Sequence, residues 1–438
     1  MGQSWGLPFS SMLEVVMTQE VPLAYAAFIG LDWADQHHAY CLGEVGMDRV
    51  EVGLLDAQPE AMAVWLHQLQ HRFKGRKIAL CLEQSKGALI YQLMSVECID
   101  IYPINPKALA NFRKAFTVSN AKDAPTDAQL LWEYVLKHTD RLRVWTPEDV
   151  DTRRLALLVE DRRKLLDLRT QLSNKLTATL KGYFPQALSL VGSKVASPMA
   201  CAFLQRWSSL RALKKSRAQT IRTFYTQHQN RRGTYIEHRL ALIRASVPLV
   251  EDAAIVEVSA LKVKSLSRQV AGLNVDLEEY DRLIASLFAA HPENALFDGL
   301  PAAGAVLAPR LLVAMGTNRQ RFATAEDVAT FSGIAPVTER SGQHTWVHWR
   351  LACSKFLRQT FHEYANQSRR KSLWAAAYYE VQRARGKSHH AAVRALAFKW
   401  IRIIYRCWKQ QEVYDESIYL AGLEKRNSPL IKYMAEAA

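Results

Sequence analysis

Acidic residues are nearly absent from one long stretch of this chain: between Thr170 and Val250 the sole carboxylate is Glu237. That scarcity excludes a self-neutralising surface there. Cysteine motifs are missing as well. Cys41, Cys81, Cys98, Cys201, Cys353 and Cys407 are scattered without a Cys-x-x-Cys pair, and His37-His38 and His389-His390 have no cysteines at zinc spacing, which argues against a structural zinc and predicts reduced, buried thiols. No apolar run is long enough to span a bilayer, and Met1 to Val21 has neither a basic start nor a continuous apolar core. The expected location is the cytoplasm, with no membrane partner.

What the chain does have is positive charge. Its 438 residues carry 57 basic and 42 acidic side chains, a formal net charge of +15. The excess is concentrated: Lys175, Lys181, Lys194, Arg206, Arg211, Lys214, Lys215, Arg217, Arg222, Arg231, Arg232, Arg239 and Arg244 fall in the acid-poor stretch. Concentrated cations release counterions from phosphates, so nucleic acid is the expected partner, with Lys214, Lys215, Arg217, Arg231 and Arg232 as candidate contacts. A hydrophobic content of 49% in a chain of this length predicts two or three domains with buried cores.

Along the chain, an apolar run from Ala26 to Leu31 ends on Asp32, and alternating stretches follow at residues 38–42 and 49–55, which predicts an antiparallel three-strand meander. Pro59 opens a helix with Ala61, Val64, Trp65, Leu69 and Phe73 on its apolar face, and Lys77 to Leu82 reads as a buried strand ending on Glu83. A strand at residues 100–104 and helices at 106–116 and 125–137 come next. Three strands, then helix and strand in alternation, is the order of an RNase H-like (RuvC-like) α/β domain.

A long helix is predicted from Asp149 to about Tyr183. A second runs from Val256 to Leu287, where Val263, Leu266, Val270, Leu273, Leu277 and Ile284 belong to a heptad seam. The seam predicts a coiled coil, between two chains or within one. The basic segment between these helices should be helical in pieces, interrupted at Arg232-Gly233. Beyond His291-Pro292, Leu300 to Met315 reads as a glycine-bearing turn entering a helix, Phe331 to Arg340 as a tight connection, Ser341-Gly342 as a turn and Trp346 to Arg350 as a short strand. Helices follow at about 354–383 and 388–409, with aromatics that more often pack a core than stack on bases.

Two groups of residues could carry chemistry. Asp32 and Glu83 close apolar strands, while Asp123 and Asp127 lie one helical turn apart. In an RNase H-like sheet the first and fourth strands are neighbours, so four carboxylates would converge and repel one another unless Mg²⁺ or Mn²⁺ neutralised them. Two such ions could activate a nucleophile and stabilise the leaving oxygen of a phosphodiester. The second group centres on Ser341. A Ser-Gly pair is ordinarily a turn, but Arg340, His344, Arg350, Lys355 and Arg358 could hold a phosphate around it. No general base for the serine is evident in the local sequence.

These motifs resemble the DEDD transposases of bacterial insertion sequences in the insertion-sequence one-ten family, the bridge-RNA-guided serine recombinases. Phe28-Ile29-Gly30-Leu31-Asp32, Leu82-Glu83 and Lys122 to Ala128 resemble the family's acidic motifs. Leu300-Pro301 to Gly304, Phe331 to Pro336, Glu339-Arg340-Ser341-Gly342 and Ala384 to His389 resemble its transposase domain. The resemblance covers roughly residues 26–182 and 252–410. It implies that Ser341 is a nucleophile forming a transient phosphoserine, that a noncoding guide RNA pairs with target and donor DNA, and that dimers assemble into tetramers sharing composite active sites. One position departs: the family places its third acid at 124, which here is Ala124. Either Asp123 takes that role from the next position or the site is disabled.

The expected organisation is an N-terminal extension over residues 1–24, disordered; an RNase H-like domain over 25–145; a coiled-coil and basic helical segment over 146–291; a mostly helical transposase domain over 292–415; and a tail over 416–438. The expected activity is cutting and rejoining of DNA. Two rivals remain: a metal-dependent junction nuclease that needs the acids and not Ser341, and an inactive nucleic-acid-binding coiled-coil protein.

Overall fold

The computed structural model describes residues 24–83, 87–116, 124–228 and 233–437. Most of the N-terminal extension, Asp123, Arg231 and Arg232 therefore lie outside the described residues. The chain divides into two compact units, through Pro147 and from Glu148 onward.

The first unit is built on a five-stranded sheet of β1 (Ala27–Asp32), β2 (His37–Glu44), β3 (Val50–Asp56), β4 (Ile78–Leu82) and β5 (Ile99–Pro103), in the order β3-β2-β1-β4-β5. The first three strands form the expected antiparallel meander, and β4 runs parallel to both β1 and β5. β1 and β4 are central and covered on both faces, which is why their sequences are continuous apolar runs. On one face lie α1 (Pro59–Arg72) and the unanticipated α2 (Ala88–Leu93), packed on Ala27, Ile29, Leu31, Ile78 and Leu80. On the other lie α3 (Pro106–Phe116) and α4 (Ala124–His138), whose Leu109, Ala128, Leu131 and Trp132 meet Phe28, Cys41, Ala79 and Cys81.

Two glycines let α4 sit this low. A Cβ on Gly30 would lie 2.0 Å from the Ala128 carbonyl oxygen and 2.3 Å from the Trp132 amide nitrogen. One on Gly43 would lie 2.6 Å from the Trp132 indole nitrogen. The helix backbone rests directly on β1 because Gly30 has no side chain.

Among the described residues, the second unit is helical apart from one hairpin. Its frame is a pair of long helices, α5 (Val150–Tyr183), and, later in the chain, α11 (Ala253–Ala290). Asp149 and Asp252 cap their first turns, accepting hydrogen bonds from the Thr152 and Ile255 amides. The pair is antiparallel: Arg162 of α5 donates to Asp281, and Arg169, two turns on, donates to Asn274 at 2.9 Å. Val263, Leu266, Val270 and Leu273 of the heptad seam are buried against Leu172, Leu176 and Leu180 of the same chain. The seam offered by the sequence as a link between subunits is thus filled within the chain.

Between these helices come α6 (Gln186–Val191), α7 (Pro198–Arg206), α8 (Leu210–Lys214), α9 (Ala218–Gln227) and α10 (Gly233–Ala245), short pieces as expected, which close a core around Phe203, Trp207, Phe224 and Tyr225 at one end of the pair. At the other end Leu155, Val159, Ile284 and Phe288 enter a second core. That core is shared with α12 (Asn294–Asp298), α13 (Gly304–Met315), α14 (Ala325–Phe331) and, after the hairpin β6 (Val337–Ser341) and β7 (His344–His348), with α15 (Lys355–Ser368), α16 (Leu373–Ala384), α17 (His389–Gln410), α18 (Glu416–Lys425) and α19 (Leu430–Ala437). Trp374, Trp400 and Trp408 are fully buried there, so the aromatics of these helices are core. Arg310 is buried between Thr360 and Glu363, and Arg163 of α5 reaches the same Glu363 at 3.2 Å.

All six cysteines are free thiols; four are buried, and Cys353 and Cys407 are half-buried. Among the described residues, no helix is long and apolar enough to cross a membrane.

Candidate functional site

The carboxylates are set by strand alternation. Leu31 pairs with Leu82, so Asp32 and Glu83 are the next positions at the carboxyl ends of adjacent parallel strands. Side chains alternate along a strand, so Asp32 shares the face of Phe28 and Gly30, and Glu83 that of Ala79 and Cys81. This is the face covered by α4. Burial first, and then the Glu83 charge, push the Cys81 thiol up to about 12. Asp127 stands in the first turn of α4, one residue before the Ala128 carbonyl that rests on Gly30. Asp32 and Glu83 therefore share one face and one end of the sheet, and Asp127 lies on the helix that covers that face. Asp123 lies outside the described residues, and among those described no three His, Cys, Asp or Glu side chains close into a metal cage.

Asp127 is not waiting in solvent. Arg113 of α3 donates to its Oδ1, and both side chains are buried. Arg113 lies fourteen residues away on another helix, and no local sequence signal marks it. The carboxylate oxygens of Asp32, Glu83 and Asp127 would suit a hard divalent cation, and the Gly30 contact seats the backbone of Ala128, the residue after Asp127, directly on β1.

The second group sits on the hairpin, and here the structure corrects the expected layout. Ser341 ends β6 and opens the hairpin turn, whose two-residue loop is Gly342-Gln343, and the strand expected from Trp346 begins at His344. Gly342 has a φ of +57°, at the first position of a two-residue loop, where glycine is favoured. The register pairs Ser341 with His344, Glu339 with Trp346 and Val337 with His348. These residues share one face of the ribbon. Arg340 pairs with Thr345 on the opposite face, so it flanks Ser341 in sequence without sharing its side. The ribbon is exposed from Thr338 through His348.

At the base of the ribbon, Gly333 (φ +73°) allows Cys353 to pack where a Cβ would collide, 2.2 Å from the Cys353 Sγ. Arg350 Nε donates to the Ala335 carbonyl at 3.4 Å, and Arg358 donates to the Arg350 carbonyl at 3.2 Å. Arg394 of α17, which no local sequence signal marks, lies over the Trp349 ring at 3.4 Å. Burial, and then the nearby Arg358, lower its pKa. Lys355 is exposed in the first turn of α15, behind the Ser354 cap. Of the expected phosphate ligands, Arg350 and Arg358 are thus in contact with each other at the ribbon base, and His344 is at its tip.

The basic segment divides. Lys175, Lys181, Lys194, Arg206, Arg211, Lys214, Lys215, Arg217 and Arg244 are exposed. Arg222 is paired with Glu237 at 2.8 Å. Arg239 is buried, with its guanidinium over the rings of Tyr225 at 4.5 Å and Tyr235 at 3.8 Å, and contributes no surface charge.

Two family models match the chain. One, described as a transposase of the DEDD type, covers residues 29–185, and the other, described as the IS116/IS110/IS902 transposase family, covers residues 294–380. The chain belongs to the IS110 family of transposases. Membership implies an enzyme that cuts and rejoins DNA. The transposase is similar to the "Mini-circle putative transposase for IS117" of Streptomyces coelicolor, 25% identical over 412 residues that make up 90% of this chain and 97% of the relative. It is also similar to the "Insertion element IS110 uncharacterized 43.6 kDa protein" of the same organism, at 25% over 405 residues, 91% of this chain and 97% of that one. A 27% match over 168 residues relates it to the "Insertion element IS900 uncharacterized 42 kDa protein" of Mycobacterium paratuberculosis, over 38% of this chain and 42% of the relative. Asp32, Glu83, Arg113 and Asp127 fall within the first matched stretch and the whole ribbon within the second, whereas the exposed cations from Lys194 to Arg244 fall between them.

Proposed function

We propose that this transposase cuts and rejoins DNA through a covalent phosphoserine at Ser341. The observation that carries the reading is the placement of Ser341 at the tip of an exposed two-stranded ribbon whose base is lined by Arg350, Arg358 and Arg394. The major groove of DNA admits a two-stranded ribbon, and guanidinium groups suit phosphate oxygens. Asp32, Glu83, Asp127 and Asp123 would hold Mg²⁺ or Mn²⁺ on an RNase H-like sheet, a fold supported by the order β3-β2-β1-β4-β5 with an antiparallel meander. A divalent ion bound there supplies Lewis-acid neutralisation of charge on phosphodiester oxygens. The family resemblance adds a guide RNA and dimers that pair into tetramers; the exposed Lys214, Lys215 and Arg217 support a polyanion surface for that RNA or for DNA.

The test is adduct capture. The protein, with its copurifying RNA and Mg²⁺, is incubated with plasmids carrying the element's ends and its target, then denatured and probed for protein linked to DNA. Wild type should give adduct and joined product, and Ser341→Ala neither. Adduct from the alanine variant would overturn the serine, and cut ends without any adduct would make the protein a junction nuclease. The Arg113 contact to Asp127 favours the rival inactive binder, since a buried cation already neutralises one acid; binding without cleavage in every divalent metal would establish that reading.

A further inference from the structure

A serine hydroxyl is a weak nucleophile and needs a base. The ribbon register places a histidine opposite it. Ser341 and His344 are directly opposite in an antiparallel pair closed by a two-residue loop, an arrangement that places their Cβ atoms about 4.5–5.5 Å apart on one face. The imidazole is held from behind: His344 and Trp346 alternate onto the same face and stack, with ring centroids 5.8 Å apart and planes at 27°. The carboxylate on this face, Glu339, is engaged at 3.5 Å by His348, two residues further from the tip than its register partner Trp346. Both His344 and Ser341 are exposed, so a DNA phosphate can reach the pair.

We propose that His344 is the general base of Ser341, with Trp346 as a positioning residue that keeps the imidazole beside the hydroxyl. The proposal rests on the reading of Ser341 as nucleophile. As the serine oxygen attacks phosphorus, its proton passes to a ring nitrogen of His344, the new O–P bond forms and the bond from phosphorus to the leaving sugar oxygen breaks. The leaving oxygen departs from the side of phosphorus opposite the serine and takes its proton from solvent, while His344 stays protonated. In the rejoining step a sugar hydroxyl attacks the phosphoserine from the far side and loses its proton to solvent, and the protonated His344 donates to the departing serine oxygen, which restores the neutral ring. No oxidant or other reactant is required.

The test measures the single-turnover rate of adduct formation on plasmid DNA with the RNA-loaded protein. At saturating DNA, His344→Ala should slow the adduct step by about 10²–10⁴-fold, the usual contribution of a positioned base. Imidazole added to the buffer should restore part of the His344→Ala rate and none of the Ser341→Ala rate. His344→Gln keeps a polar side chain on the ribbon and guards against loss of the hairpin; it should be as slow as the alanine variant. Glu339→Gln should leave the rate near wild type. A fast His344→Gln variant, or a slow His344→Ala variant that imidazole cannot rescue, overturns the base while leaving the serine in place. Adduct in Ser341→Ala overturns the nucleophile itself.

Discussion

Arg113 donates to the Asp127 carboxylate from the neighbouring helix, and both side chains are buried. Removing one partner from such a pair leaves an uncompensated charge in the interior, so Arg113→Met should cost about 3–5 kcal/mol. Adding Asp127→Leu should recover much of that loss, because two apolar groups replace two charges. Urea titrations of the single and double variants measure the difference; equal stability of the two would remove the pair from the fold's support.

Gly30→Ala should destabilise the first unit by about 1–3 kcal/mol or more, since α4 must lift off β1 to admit the methyl group. DNA cutting should fall with it, because Asp127 moves with the helix. Gly272, in the middle of α11, has nothing within 4 Å of its Cβ position. There the same substitution should stabilise by about 0.5–1 kcal/mol. Thermal melts of the two variants should move in opposite directions.

Leu266→Glu with Leu273→Glu places two charges into the seam between α5 and α11. With the seam filled within the chain, the double variant should lose helical signal and cooperative unfolding. Circular dichroism with size exclusion checks this. A folded monomer from a dimeric parent would instead return the seam to the subunit interface.

Neutralising Lys214, Lys215 and Arg217 should flatten the dependence of nucleic-acid affinity on salt, by about 0.7–0.9 in the log-log slope for each phosphate that is no longer neutralised. Arg239→Met should leave the slope unchanged and lower stability, because its charge is buried between two tyrosines. Fluorescence titrations across a range of salt separate the two effects.

The strands that carry Asp32 and Glu83 were legible because central strands are apolar on both faces and end abruptly in a charge. The α3 helix was legible to the residue, from Pro106 to Phe116, through Asn105-Pro106 at its start. A heptad period, in contrast, announces a seam without naming the chain that fills it, and α5 fills this one from within. β6 was missed because Thr338, Glu339, Arg340 and Ser341 are all exposed, and a ribbon bare on both sides has no alternation of polarity to read. Its sole signal was two residues, Gly342-Gln343, between Ser341 and His344. Arg239 was counted with the surface cations because composition records charge and not depth; Tyr235, one helical turn before it, was the available hint.

Because α5 and α11 run antiparallel, the chain leaves this helical pair near Phe184 and returns near Asp252 at the same end. A two- to five-residue loop can join two antiparallel helices. The intervening helices are therefore an inset on a hairpin whose opposite end is anchored in the core beneath the ribbon. An inset of this kind can change in length or sequence without altering the path of the two helices that carry it, because it is joined to them at one end of the pair alone.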